Sequence, residues 1–345
     1  MRPGEACVAW PPGNIGEDER MTPCMPARLD AATLGQIVNE QADGDLEQAR
    51  RVVAEQFEFE SWDALHAEVE RRAILNARDV AAAKARIAAD RSWATADLAG
   101  WCDHRRGAAP LNYMAMLRFD AVRLGLAGPL EGTGEMGRVL LAAGAPVNGN
   151  PGEPETPLMT AASYGDAEIA CVLIDGGADL DALAAPDGGG VPGGSALLHA
   201  AVFGMTEVLG ALVDAGARIR SIIEAAAAGD ITGWPIAAAE EEELVRALVM
   251  AADHQRLRVI EELLDVGTPI DGVDPVWGRH PLRVAAQRGR SASVRLLLER
   301  GADHTLRDGE GRSAPDLCQG EHRYLPGPGH DEVAAMLSAV PRSTD

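Results

Sequence analysis

The 345-residue sequence predicts an all-α array of stacked helix-turn-helix units, and three observations carry that prediction. Apolar residues make up 46% of the chain but aromatics only 4%. Much of the apolar share is alanine, which packs helices closely and builds poor sheets. The pattern Ala-Ala-x-x-Gly recurs, followed twelve residues later by a second glycine: Gly165 with Gly177, Gly204 with Gly216, Gly289 with Gly301. Between the two marks lie helix-period apolar runs, such as Val208, Leu212 and Val213, or Val294, Leu297 and Leu298.

Residues 1–28 hold five prolines and little periodicity and read as a disordered tail, within which Met21 offers a second possible start. Residues 29–73 read as a helical N-terminal cap. Asp30 N-caps a helix to about Ala42, Asp45 another to about Gln56, and a third begins at Ser61. Phe57, Phe59, Trp62 and Leu65 are placed to cover the open end of a stack. The array follows over residues 74–340. Its phase marks are Ile74, Met114, Ala161, Ala200, Ala225, Ala251, Ala285 and Cys318, about eight units at intervals of 40, 47, 39, 25, 26, 34 and 33 residues. Degenerate copies keep the twelve-residue gap, with Gln255 leading to Gly267 and Arg78 to Asp90. In the 47-residue interval, extra residues around 125–137 form an excursion between the marks Arg118 and Gly144. In the 39-residue interval, the glycine-rich residues 186–194 read as a flexible finger rather than a phosphate cradle, because no lysine follows and the neighbours are acidic. Gly233-Trp234-Pro235 interrupts a second helix and predicts an irregular joint. Residues 240–243, four glutamates, read as a solvated helix start. An insertion at 324–329 precedes a final helix from about His330 to Ala339.

These residues resemble the ankyrin repeat family, whose unit of about 33 residues carries Thr-Pro-Leu-His-x-Ala-Ala-x-x-Gly. Thr156-Pro157-Leu158 with Ala161-Ala162 and Gly165 matches best, and Pro281-Leu282 with Ala285-Ala286 and Gly289 comes next. No unit keeps the motif histidine in register: Met159, Leu198, Val249 and Arg283 stand there, with His199 one place later. The segment 54–65 resembles a leader that precedes the repeats in some bacterial ankyrin proteins. The resemblance implies an ankyrin-repeat solenoid in a bacterial cytoplasm, and a concave surface built from finger tips and from the two positions between Ala-Ala and Gly. Those positions are Met116 and Leu117, Ser163 and Tyr164, Val202 and Phe203, Asp253 and His254, Gln287 and Arg288. Tyr164, Phe203, Asp253, His254, Gln287 and Arg288, with Val276, Trp277 and Arg279 from a finger, form the expected binding set. Phe203 and Met116 equally suit packing against neighbouring helices.

The charge balance, 31 basic against 53 acidic residues, gives −22 and disfavours nucleic-acid binding. No apolar stretch is long enough to span a membrane, and the first residues lack a signal peptide's apolar core, so a cytoplasmic monomer is expected. Lys84 is the only lysine, which leaves no P-loop and no Ser-x-x-Lys. Five scattered cysteines, never in Cys-x-x-Cys, predict reduced thiols and no structural zinc; no metal or cofactor is expected. Cys102-Asp103-His104 has the residue types of a nucleophile site but not the spacing, and Cys318, His322 and His330 match no metal pattern. Residues 139–217 hold ten acidic residues and no basic one, whereas 279–312 hold eight arginines against four acidic residues. The acidic centre could dock a basic protein, and the arginine end a carboxylate or phosphate. The expected function is a noncatalytic protein-binding module for a basic partner. The alternative is a groove enzyme or small-ligand binder using Asp253 and His254 as an acid-base pair.

Overall fold

A computed structural model describes residues 30–41, 45–99, 108–121, 124–126, 130–188, 190–319 and 328–339. The expected disordered tail, Cys102-Asp103-His104 and His322 lie outside the described residues. The described residues divide into two compact units, one within 30–70 with residue 99 and the other within 71–98 and 108–339.

The smaller unit contains α1 (Ala31–Gln41), α2 (Leu46–Gln56) and the first part of α3 (Trp62–Ala77). Each starts where a short polar side chain accepts an otherwise unpaired amide. The Asp30 carboxylate accepts from Thr33 N at 2.7 Å, Asp45 from Gln48 N at 3.0 Å and Ser61 Oγ from Ala64 N at 3.1 Å. Leu34, Val38, Ala49, Val53, Leu65 and Val69 form its core, and Phe57, Phe59 and Trp62 pack against it. The Arg50 guanidinium lies 5.5 Å over the Trp62 ring.

The larger unit is a run of helix pairs. The end of α3 pairs with α4 (Val80–Ala89), α5 (Pro110–Asp120) with α6 (Thr133–Ala142), and α7 (Pro157–Tyr164) with α8 (Ala167–Asp175). Next, α9 (Ala196–Val202) pairs with α10 (Thr206–Asp214), and α11 (Ile222–Ala228) stands without a second helix. Then α12 (Glu241–Asp253) pairs with α13 (Leu257–Asp265), α14 (Pro281–Gln287) with α15 (Ser291–Glu299), and α16 (Ala314–Gln319) with α17 (Pro328–Ala339). Every phase mark falls in the first helix of a unit. Met114, Ala161, Ala200, Ala225, Ala251 and Ala285 are fully buried. Alanine at this position lets the backbones of successive inner helices approach, which excludes water from the stack.

The turns follow the glycine marks. Gly165, Gly204, Gly229 and Gly289 adopt φ of 72°, 72°, 101° and 66°, the left-handed region that glycine enters without steric cost. The degenerate marks Arg78 and Gln255 adopt the same conformation, at 52° and 57°, despite their side chains. The mark Arg118 does not, since α5 runs through it to Asp120. The left-handed residue twelve before Gly144 is Gly132, so the excursion ends there, and residues 133–137 belong to α6. Gly137 instead packs in α6 against Ile169. Asp90 is also no turn, having extended backbone at φ −148°. Between α11 and α12 the chain makes a turn at Gly233 and a short 3-10 helix, Ile236–Ala238, the irregular joint expected from Pro235. The four glutamates open α12 as a solvated first turn.

The glycine-rich insertion departs from expectation. Its described residues are tied down and not free: Ala184 N donates to Gly194 O and Gly194 N to Val191 O, both at 2.9 Å, and Val191 is buried with Val202 and Phe203. An apolar side chain in its middle gives the loop a place to fold onto.

Gly204→Ala should destabilise the chain by about 2 kcal/mol, because left-handed backbone costs an L-residue ~1–2 kcal/mol and the new Cβ would lie 2.7 Å from the Asp253 carboxylate. Gln255→Gly should act oppositely and stabilise by up to about 1 kcal/mol. Urea unfolding of both variants checks the pair.

Candidate binding surface

The positions between Ala-Ala and Gly do not line an open groove. Met116, Leu117, Ser163, Val202, Phe203, Asp253 and His254 are buried, and only Gln287 is exposed. Tyr164 is half-buried and stacks on Phe119, with ring centroids 4.6 Å apart. Arg288 is half-buried too. The physical reason lies in the helix ends. Each short inner helix finishes in carbonyls that have no partner within the helix, and side chains from neighbouring units close over them.

The end of α9 shows the device in full. The carbonyls of Ala201, Val202, Phe203 and Gly204 accept in turn from His254 (2.8 Å), Arg279, Arg288 (2.5 Å) and Arg290 (3.2 Å). Arg290 also donates to Asp253 O at 2.6 Å and to Thr206 Oγ1 at 3.0 Å. The fully buried Asp253 carboxylate lies 3.3 Å from Arg288 Nε and 3.9 Å from Arg279 Nη1, balancing the guanidinium charge. The same capping recurs where Arg118 donates to Gly165 O (2.8 Å), Arg256 to Ala227 O (2.7 Å) and His330 to Gln287 O (3.1 Å). Cationic donors at helix C-termini also complement the dipole.

Asp253 and His254 are therefore structural and do not form an acid-base pair facing a groove. A carbonyl can only accept, so His254 carries its proton on Nε2, and Nδ1 accepts from Thr206 Oγ1 at 3.0 Å. Both nitrogens are committed. Burial pushes the imidazole down to about 4, with the nearby Asp253 charge opposing and Arg290 and Arg256 assisting. His199, two units earlier, repeats the arrangement. Its Nε2 donates to Val191 O at 3.1 Å, its Nδ1 accepts from Ser163 Oγ at 2.8 Å, and burial lowers it to about 4. A shallow cleft beside this network is lined by Gly165, Gly204, Met205, Thr206, Glu207, Val208 and Arg290; Arg290 is committed to carbonyls, and Glu207 is an exposed carboxylate apart from the buried histidine.

The arginine-rich end is also spoken for. Of its eight arginines, Arg279, Arg288 and Arg290 cap carbonyls as above and Arg283 reaches Gly278 O. Arg295 pairs with Glu332 (2.6 Å), Arg300 with Asp265 (2.9 Å), Arg307 with Asp316 (3.3 Å) and Arg312 with Asp308 (2.9 Å). A carboxylate or phosphate docking at this end would compete with these pairs. By contrast Asp175, Asp187, Glu207 and Asp214 are exposed in the stretch that contains no basic residue.

What does face solvent is the finger before α14. Val273 and Val276 are 51% and 59% exposed. Between them Asp274 is fully buried, accepting from Val276 N at 2.8 Å and lying 3.6 Å from Arg246 Nε, while its own N–H donates to Arg279 O at 2.8 Å. Trp277 is half-buried against the Val191–Phe203 cluster, with Arg279 5.6 Å over its ring. A buried anchor thus holds two exposed valines in a fixed turn. Nothing in the sequence singled out Asp274 or Val273, although an Asx turn at Asp274 is a readable local signal. Among the described residues no group of three or more His, Cys, Asp or Glu could hold a metal, and no helix is long and apolar enough to cross a membrane.

The histidine network has a pH signature. His254 ionises near 4 when folded and near 6.5 when unfolded, so the unfolded chain binds the extra proton between those values. Its contribution is fully present above about pH 6.5 and is lost as pH falls towards 4, on the order of 3 kcal/mol. His254→Gln keeps a donor for Ala201 O and cannot titrate. The stability advantage of the parent chain over this variant in urea should be largest near pH 7.5 and shrink by about 2–3 kcal/mol at pH 4.5.

Family models for ankyrin repeats match this chain twice, as three copies over residues 125–223 and as one repeat over residues 277–309. A 97-residue segment is 33% identical to palmitoyltransferase Hip14 of Drosophila melanogaster, covering 28% of this chain and 14% of that protein. The human ASB11 ankyrin repeat domain is 22% identical with a TM-score of 0.31, covering 68% of this chain and 99% of that one. With helix pairs, left-handed turns and phase marks in register through the larger unit, the matched segments are ankyrin repeats and their array is an all-α ankyrin-repeat solenoid.

Proposed function

We propose that this chain is a noncatalytic protein-binding module whose contact surface is the finger around Val273 and Val276, continued by Gln287 on the inner-helix face. Ankyrin repeats typically mediate protein–protein interaction. The observation that carries the reading is the pair of exposed valines on a turn locked by buried Asp274. Apolar side chains held in one geometry lose little entropy on binding. Trp277 and Arg279 stand beside them and supply the residue types that dominate interface energies.

The partner we infer is basic. Exposed Asp175, Asp187, Glu207 and Asp214 belong to a stretch with no basic residue, and their field would speed association with a cationic surface. The arginines suit an acidic partner less well, since each already holds a carbonyl or carboxylate within the array. The competing reading, a groove enzyme built on Asp253 and His254, loses its support because both side chains are buried and paired.

Val273→Ser with Val276→Ser should abolish capture of partner proteins from lysate by the tagged chain, with the circular dichroism spectrum unchanged. Equal capture by parent and double variant removes the finger from the reading. Capture that persists at high salt would remove the basic partner but not the finger. Arg288→Ala is unsuitable as a binding probe, because it strips a cap from Phe203 O and leaves buried Asp253 short of a counter-charge.

A further inference from the structure

We propose that residues 190–194 form a strap occupying the chain's own inner surface, and that ionisation of Glu155 releases it to uncover Phe203 and Trp277. The strap is held at few points. Val191 inserts among Val202, Phe203, Leu198, Met205 and Trp277, and its carbonyl accepts from His199 Nε2 at 3.1 Å. Gly190 has φ 64°, and a Cβ there would lie 3.0 Å from His199 Cε1 and 3.1 Å from Glu155 Oε1. The backbone therefore rests directly on the Glu155 carboxyl group. Of the five residues 190–194, three are glycine, so closing the strap orders a chain with much conformational freedom in exchange for one buried valine and a few hydrogen bonds. Such a contact is readily reversed. It also masks the apolar residues that a partner segment would otherwise meet.

Glu155 is the group whose charge decides the balance. Its Oε1 is shut off from solvent with no hydrogen-bond donor among the described residues. The elements around it are its own loop, the loop carrying the strap, α9, and the finger whose Trp277 packs on Val191; their charged and titratable groups are Glu153, Asp179, Asp181, Asp187, His199, Asp274 and Arg279, of which Arg279 is turned to Val202 O and Asp253. A carboxylate there has nothing to pair with, and burial alone raises Glu155 from 4.5 to about 7. The closed strap fits the neutral acid; the anion must be hydrated, and moving 190–194 away admits the water. Rising pH between those values therefore favours opening. His199 acts oppositely, favouring opening only as pH falls from about 6.5 towards 4, through loss of its bonds to Ser163 and Val191.

The test is hydrogen exchange of the full chain, following peptides over residues 184–199. These contain the strap-dependent amides Ala184, which donates to Gly194 O, and Gly194, which donates to Val191 O. The opening constant of the parent divided by that of Glu155→Gln cancels the His199 contribution and should rise at least about tenfold between pH 5 and pH 7. Gly190→Ala, which drives a Cβ into Glu155 and His199, should leave these amides unprotected at both pH values while α15 stays protected. A ratio that does not change with pH, or Gly190→Ala protection equal to the parent, overturns the proposal. No partner protein is needed for either readout, so the strap stands or falls separately from the proposed binding function.

Discussion

A short helix ends in carbonyls that it cannot satisfy itself, and most inner helices of this array are short: α9 and α14 run for seven residues and α7 for eight. The structure depends on how those ends are closed. At α9 four successive carbonyls are taken by one histidine and three arginines drawn from α12 and from the finger and turns around α14. The donors come from later units, so each cap is also a tie between repeats. Removing one partner would leave a buried acceptor or charge uncompensated, which costs more than the bond itself contributes. This coupling adds to the nearest-neighbour packing that stabilises any stacked array.

The same requirement decides what is left for recognition. Arginines that a charge count would offer to an acidic ligand are spent on carbonyls and on carboxylates of adjacent helices. Residues at the inner-helix ends, which face outward in an idealised unit, are covered because side chains from the next units must pass over them. Exposed apolar surface then survives at the fingers, where a buried Asp274 rather than a helix fixes the backbone. Charge survives as well: the carboxylates of α8 and α10 meet no cation in their own stretch of chain, while those of α13 and α17 are neutralised across helices.

Burial of ionisable groups gives the array opposing pH responses. His199 and His254 are held neutral, and each loses stabilisation in acid. Glu155 is held as the acid, and its contribution is present below its ordinary value of 4.5 and lost as pH rises through about 7. Neutral histidines suit their task, since a carbonyl on one side and a hydroxyl on the other match one tautomer of the uncharged ring.

The sequence by itself determined the helix pairs, their phase and most of their boundaries, because these rest on local chemistry. Asp30, Asp45 and Ser61 cap where they stand, alanine marks the close-packed face, and the twelve-residue gap located the left-handed turns even at Arg78 and Gln255. Where the chain carries extra residues, the phase mark chose the wrong turn: Arg118 stands four residues after Met114, but Gly132 keeps the twelve-residue gap to Gly144 and has the freedom to make the turn. The site was much less legible. Only the tertiary structure decided that Asp253 and His254 are buried, that the arginines are used up, and that residues 190–194 lie on Phe203. The caps at the end of α9 depend on partners 53 to 86 residues away, and the strap on the path of a glycine-rich loop, and neither is encoded in local periodicity. Short-range propensity fixes elements; the need to satisfy every buried carbonyl and charge fixes which side chains remain free to bind.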